Sequence, residues 1–448
     1  MTIQGYTLQQ QNGYSRASMA RLAASLSLSG LFAASAILID SNMVAPLGKD
    51  ALAAMGLSAG LFGAFMAALF GLGTGAQILL AEAAGRGKRQ IFAQRLWFMF
   101  ALGLSLALIL SLLLKLLLPF LIQWLAPTRT IAILTNDYLG LLVYSLPIVF
   151  CCYLLSICFD AQRKPARELM GFAFELPANI ALNALLIYGL HGFPELGLKG
   201  AAIATLVAQS GRLAWLMTLV LLDERVTARG YYVASRAEYR NMGKLLWPVS
   251  LNVAILILGA QFYQLIFSQL PVTAFAAIAL VAPWLTLANV IGRGVAQSAT
   301  ISCASLLDNP TALARTFAPV EHITKVTSIA LAVALLVILS IVYGLSSHIP
   351  REVRPTFLWL VPLSAILVYV RTGAVSLGNV LRAVDKPGWV FKIQIGLQWG
   401  FALPIVFAGV VIFDLAPFWA VSVLVLEETI RLAFLRHRFR KLGQNSKN

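Results

Sequence analysis

Charge is scarce in this chain. Of 448 residues, 12% are Asp, Glu, Lys or Arg, where a soluble domain carries about 25%. So few charges cannot cover a water-facing surface, which excludes a soluble enzyme and a disordered protein. Cysteine is scarce too. The four present, Cys151, Cys152, Cys158 and Cys303, all sit inside apolar runs. That excludes a secreted disulfide scaffold, and the adjacent pair has no zinc spacing; cysteine here acts as a small hydrophobe. The four histidines (His191, His322, His348, His437) are scattered, so no metal cluster is expected. Acids are the rarer sign, 18 against 34 basic residues, for a net charge of +16. The polar N-terminus lacks the short apolar stretch and cleavage site of a signal peptide, and none is expected.

What is abundant is apolar surface, at 59% of the residues. Apolar runs fall at 19–44, 52–80, 92–122, 135–159, 168–190, 198–222, 244–269, 275–305, 322–345, 356–381, 391–412 and 416–435. Each is near or above the roughly 20 residues a helix needs to cross a bilayer, and too long for barrel strands of about 10. The sequence therefore predicts an all-α polytopic membrane protein with twelve transmembrane helices. With the N-terminus inside, 25 of the 34 Lys and Arg fall on cytoplasmic segments and five on outer loops. This bias predicts cytoplasmic termini in a plasma (inner) membrane. It also accounts for the net charge through topology and anionic lipid headgroups, with no need of nucleic acid.

The two halves repeat. "MARLAASLS" from Met19 lies over "MGKLLWPVS" from Met242, and "ALAAMGLSA" from Ala51 over "AFAAIALVA" from Ala274, both at an offset of 223. "DAQRKP" from Asp160 matches "RAVDKP" from Arg382 at 222, and "GRLAWL" from Gly211 matches "IRLAFL" from Ile430 at 219. Six helices repeated in one orientation make two pseudo-symmetric lobes. The predicted domains are 1–222 (helices 1–6), a cytoplasmic linker 223–243, and 244–448 (helices 7–12 with a short basic tail). Parallel repeats of this kind point to an alternating-access transporter. Membrane-enzyme chemistry has no support, because no metal motif or nucleophile–base pair is present.

Asp40 stands alone as an acid in its apolar run, near the outer end of helix 1. A carboxylate in that setting is costly unless protonated or paired. The cost suits a group that takes up a proton or Na⁺ on one side and releases it on the other; the bland alternative is an interfacial Asp at a helix end. Asn179 and Asn183 share one face of helix 5 at i, i+4, with Glu175 one turn earlier. Thr205 lies on helix 6, one turn after Ala201.

"LIDSNMVAPLGKDALAAMGLS" (38–58), "ANIALNALLIYGLHGFPELGLKGAAIATLVAQ" (178–209) and "GNVLRAVDKP" (378–387) together resemble the multidrug and toxic compound extrusion (MATE) family. That family belongs to the multidrug/oligosaccharidyl-lipid/polysaccharide flippase superfamily. The resemblance covers essentially the whole chain. It implies two six-helix bundles around a central cleft, exporting small amphipathic or drug-like molecules against H⁺ or Na⁺ flow, without a cofactor. It also implies a cation-coupling site at Asp40, Asn179, Asn183 and Thr205, with Tyr138 nearby and a transient Na⁺ as one occupant. The other reading of those side chains is interhelical hydrogen bonding.

Glu175, Tyr263, Arg293 and Arg371 are candidates to line a substrate cleft. Many family members have carboxylates on helices 7 and 10. Here those positions fall near Leu256 and at Arg371, and Tyr263 is the repeat partner of Asp40. The C-terminal lobe is therefore expected to lack a carboxylate site and to hold two buried cations, Arg293 and Arg371. Arg212 and Arg431 are repeat partners, expected to bind loops or lipid. The family's low proline in helix 1 is Ser25 here, whereas Pro248 is present in helix 7. The expected partners are membrane lipid and a small-molecule cargo, with the chain acting as a monomer. The alternative function is a flippase of lipid-linked saccharides, to which the arginines lend weight.

Overall fold

The computed structural model describes residues 13–87, 89–126, 128–223, 226, 236–267, 269–345 and 352–445. Most of the expected linker, at 224–225 and 227–235, lies outside the described residues, as do the first twelve and the last three. Among the described residues there are helices and no strands, and they form twelve successive spans. These are α1 (Arg16–Val44), α2 (Lys49–Gly85), α3 (Arg89–Leu125), α4 (Arg129–Leu142 continuing as Ser145–Ala161), α5 (Ala166–Tyr188) and α6 (Leu198–Leu221). The second six are α7 (Arg236–Phe267), α8 (Val272–Ala304), α9 (Pro310–Leu345), α10 (Arg354–Val384), α11 (Pro387–Ile412) and α12 (Pro417–Asn445).

Nine of these are long and apolar enough to cross a membrane by length and composition alone, and the bent α4 makes ten. The apolar stretch of α12 carries Glu427, Glu428 and Arg431, three charges that depress its hydropathy. Those charges are compensated inside the fold, as described below.

The chain divides into two compact units, 31–254 and 1–30 with 255–448. The division runs through α1 and α7 rather than through the expected linker. In unit 31–254, α2, α3 and α4 pack on one another, α6 packs on α4, and α5 lies along α6. In the other unit α10 is central, against α8, α9 and α12.

α4 bends by 45° between its segments. Pro147 has no N–H to give the carbonyl four residues back, which is that of Val143. Ser111 Oγ of α3 donates to this carbonyl at 2.9 Å. Lys115, a basic residue in an apolar run, donates to Gly140 O at 2.9 Å just before the bend. An intramembrane cation is thus satisfied by backbone that the bend frees. α1 has no proline and is continuous from Arg16 to Val44, with Ser25 donating back to Arg21 O. α7 carries Pro248.

Candidate functional site

α5 and α6 are brought close by small residues. A Cβ at Gly200 would strike the Leu186 backbone oxygen, so only glycine permits this separation. α5 ends on Gly189, whose φ of +67° suits a left-handed cap. Tyr188 just before it donates to Met43 O at 2.6 Å, tying the end of α5 to the end of α1.

One turn below that tie, Asp40 meets α5. Asn183 Nδ2 donates to Asp40 Oδ1 at 2.6 Å and to Asn179 Oδ1 at 3.0 Å. Asn179 Nδ2 in turn reaches Thr205 Oγ1 of α6 at 3.5 Å, and Thr205 donates to Ala201 O at 2.9 Å. Asn179 and Asn183 are buried, while Asp40 and Thr205 are half-buried. The side chains at 40, 179, 183 and 205 thus form one chain of hydrogen bonds across three helices. Asn183 Oδ1 is buried without a hydrogen-bond partner, so the cluster ends in a free acceptor beside a carboxylate. A proton on Asp40 or a small cation among these oxygens would answer that surplus of acceptors. Tyr138 of α4 is buried, within electrostatic reach of Asp40.

Glu175 points elsewhere. Its Oε2 takes Arg212 Nη1 at 3.2 Å, and Arg212 Nη2 also reaches Ser156 Oγ at 3.3 Å and Glu168 Oε1 at 3.5 Å. The guanidinium lies 3.6 Å over the Phe172 ring. Arg212 is therefore a half-buried counter-ion to two carboxylates, not a lipid or loop anchor. A charge inside an apolar bundle pairs internally because the alternative is unscreened.

The second unit departs most from expectation. It does hold carboxylates: Glu427 and Glu428 of α12, exposed by 3% and 6%. Tyr263 of α7 is buried and donates its hydroxyl to Glu427 Oε2 at 2.6 Å. Glu428 pairs with Arg431 one turn on, and Arg431 also donates to Gln394 Oε1 at 2.8 Å. Gln394 continues to Gln398 at 2.8 Å along α11. Arg371 is no isolated buried cation. Its Nε is 3.7 Å from Glu428 Oε1, and its side chain is one-third exposed. Arg293 is exposed rather than buried. Its flanking glycines serve packing: a Cβ on Gly294 would press on the Ser27 backbone, and one on Gly292 would lie 3.1 Å from Thr372 Oγ1.

The repeat explains the layout. At the offset of 219, Arg431 corresponds to Arg212 and Gln394 to Glu175, and each arginine holds its partner. Gln398 likewise corresponds to Asn179. The amide at 394 leaves Arg431 without the acid that Arg212 has, and Glu428 supplies it from the same helix. The signal in sequence is "LVLEETIR" (424–431), two acids followed by a base three residues after the second, inside an apolar run.

Residues 26–185 match the family model described as MatE. The "Probable multidrug resistance protein NorM" of Burkholderia mallei is 30% identical over 246 residues, 53% of this chain and 51% of that one. The "Multidrug resistance protein NorM" of Burkholderia vietnamiensis is 26% identical over 289 residues, 63% and 61% of the two chains. The chain thus spans about half to three-fifths of the length of these relatives. Among solved structures, a MOP superfamily transporter from Pyrococcus furiosus superposes with a TM-score of 0.85 at 16% identity, over 100% of both chains. The bent form of the Vibrio cholerae MATE transporter VcmN gives 0.81 at 19% identity, over 96% and 99%. These likenesses carry the fold, two sets of six helices. Residues 26–185 carry the likeness to the MatE family, and the chain is a multi-pass membrane protein with the fold of MATE transporters.

Proposed function

We propose that the chain exports small amphipathic or drug-like molecules from the cytoplasm by alternating access, driven by inward flow of H⁺ or Na⁺. The observation that carries this reading is the hydrogen bond from Asn183 to Asp40, continued through Asn179 to Thr205. A carboxylate held among neutral amides and a hydroxyl, with an acceptor left over at Asn183 Oδ1, is suited to bind and release one positive charge. Asp40 carries the charge, Asn179, Asn183 and Thr205 supply neutral oxygens, and Tyr138 bounds the site. The resistance-protein names of the relatives support a drug-like cargo. The Lys and Arg bias supports cytoplasmic termini in a plasma (inner) membrane.

The test is transport of a fluorescent organic cation by the full chain in proteoliposomes, with a pH gradient and a Na⁺ gradient imposed separately. One gradient drives transport in the wild type, and Asp40→Asn abolishes it while remaining in the membrane. Asn183→Ala and Thr205→Ala each lower the rate less, since each removes a neutral oxygen. Full gradient-driven transport by Asp40→Asn overturns the assignment.

A further inference from the structure

The buried charges of unit 1–30 with 255–448 are used by nothing described so far. Four ionisable groups meet there: Glu427, Glu428 and Arg431 on α12, and Arg371 on α10. Tyr263 of α7 faces Glu427, and α11 contributes the neutral amides Gln394 and Gln398. The acting charges on Glu427 are those of Glu428, Arg431 and Arg371.

The two acids are not equivalent. Glu428 contacts Arg431 and lies 3.7 Å from Arg371. The hydrogen-bond partner of Glu427 is the uncharged Tyr263 hydroxyl. The two bases differ as well. Arg431 is fixed, buried, on the same helix as its partner and hydrogen-bonded to Gln394. Arg371 comes from another helix, is one-third exposed and stands beyond hydrogen-bonding distance. With both carboxyls ionised and both guanidiniums engaged, the four charges would balance. When Arg371 leaves, one negative charge remains in an apolar bundle, where an unbalanced ion is costly. A metal cation is a poor remedy, because Arg431 sits within the cluster and repels it. A proton has no such difficulty and needs no coordination shell.

We propose that Glu427 is a second proton-exchange site, whose occupancy depends on whether Arg371 of α10 is engaged with Glu428. The proton adds to a Glu427 carboxylate oxygen, and Tyr263 keeps its hydrogen bond to the carboxyl group. Departure of Arg371 favours uptake, and its return favours release. This site is separate from the Asp40 cluster, so the inference stands or falls apart from the function proposed above.

The test is infrared difference spectroscopy of the purified full chain in lipid nanodiscs, stepped through pH, in an Asp40→Asn background that silences the other site. A titrating carboxylic-acid C=O band is expected, and adding Glu427→Gln removes it. Arg371→Gln moves the midpoint of that band to higher pH by about one unit or more, since a nearby positive charge opposes protonation. Tyr263→Phe moves the band in frequency, because the carbonyl loses a donor. A band unchanged by Glu427→Gln overturns the proposal. So does an unmoved midpoint in Arg371→Gln, which keeps the test decisive should Glu427→Gln fail to fold.

Discussion

Arg212 shows how a single side chain in this fold is held by several others. It joins Glu168 and Glu175 of α5 to Ser156 of α4 and covers Phe172. Removing this half-buried cation leaves its acids uncompensated, a loss below the roughly 3–5 kcal/mol of a fully buried broken pair. Arg212→Gln should therefore lower the thermal unfolding midpoint of the detergent-purified protein. Adding Glu175→Gln to it should recover part of the loss, because one stranded acid is removed. An unchanged midpoint in the single variant would show that Arg212 does not stabilise the bundle. The contrast with Asp40 is instructive. Asp40→Asn replaces a carboxylate bonded to a neutral amide and strands no ion, so the fold should survive while coupling fails.

α5 and α6 are the elements whose separation fixes the Asp40 cluster. Gly200 on α6 faces the backbone of α5, and the Asn179–Thr205 contact between them is already long at 3.5 Å. Gly200→Val should force the helices apart at a cost of about 1–3 kcal/mol. It should slow gradient-driven transport at least as much as Thr205→Ala, without touching an ionisable group. Transport equal to wild type would detach the proposed coupling role of the Asp40 cluster from this helix spacing. Much of this region was legible in sequence. Two asparagines at i, i+4 and a lone acid in an apolar run can be read without coordinates. The partners of Arg212 and Arg371 were not, because an arginine in a membrane helix reaches across to whichever neighbour carries an acid. The family's carboxylate positions on α7 and α10 fall near Leu256 and at Arg371 here, and the acids of this lobe stand instead on α12, where Glu427 and Glu428 break the apolar pattern. The bend of α4 was also hidden: it depends on Pro147 and on Ser111 of a different helix, and period counting sees neither.

Over the whole chain, basic residues sort onto alternate sides of the twelve spans. Short loops rich in Lys and Arg stay on the cytoplasmic side during insertion. Residues 431–447 hold six such residues, while the loop between α5 and α6 holds none before Lys199. The cysteines supply a clean way to test this. All four are free and buried, so a bulky charged maleimide should leave the wild type unlabelled. Glu195, in the α5–α6 loop, and Arg440, near the end of α12, are both exposed. Glu195→Cys should be labelled by an impermeant maleimide in intact, outer-membrane-permeabilised cells. Arg440→Cys should be labelled only in inverted vesicles. Arg440 forms a 3.1 Å pair with Glu321, an exposed contact whose loss costs under about 1 kcal/mol, so the substitution leaves the fold intact. Labelling of Arg440→Cys from outside would reverse the orientation, and with it the direction of the cation flow proposed through Asp40. Labelling of both positions from one side would be incompatible with seven spans between them, and would remove an odd number of helices from the count.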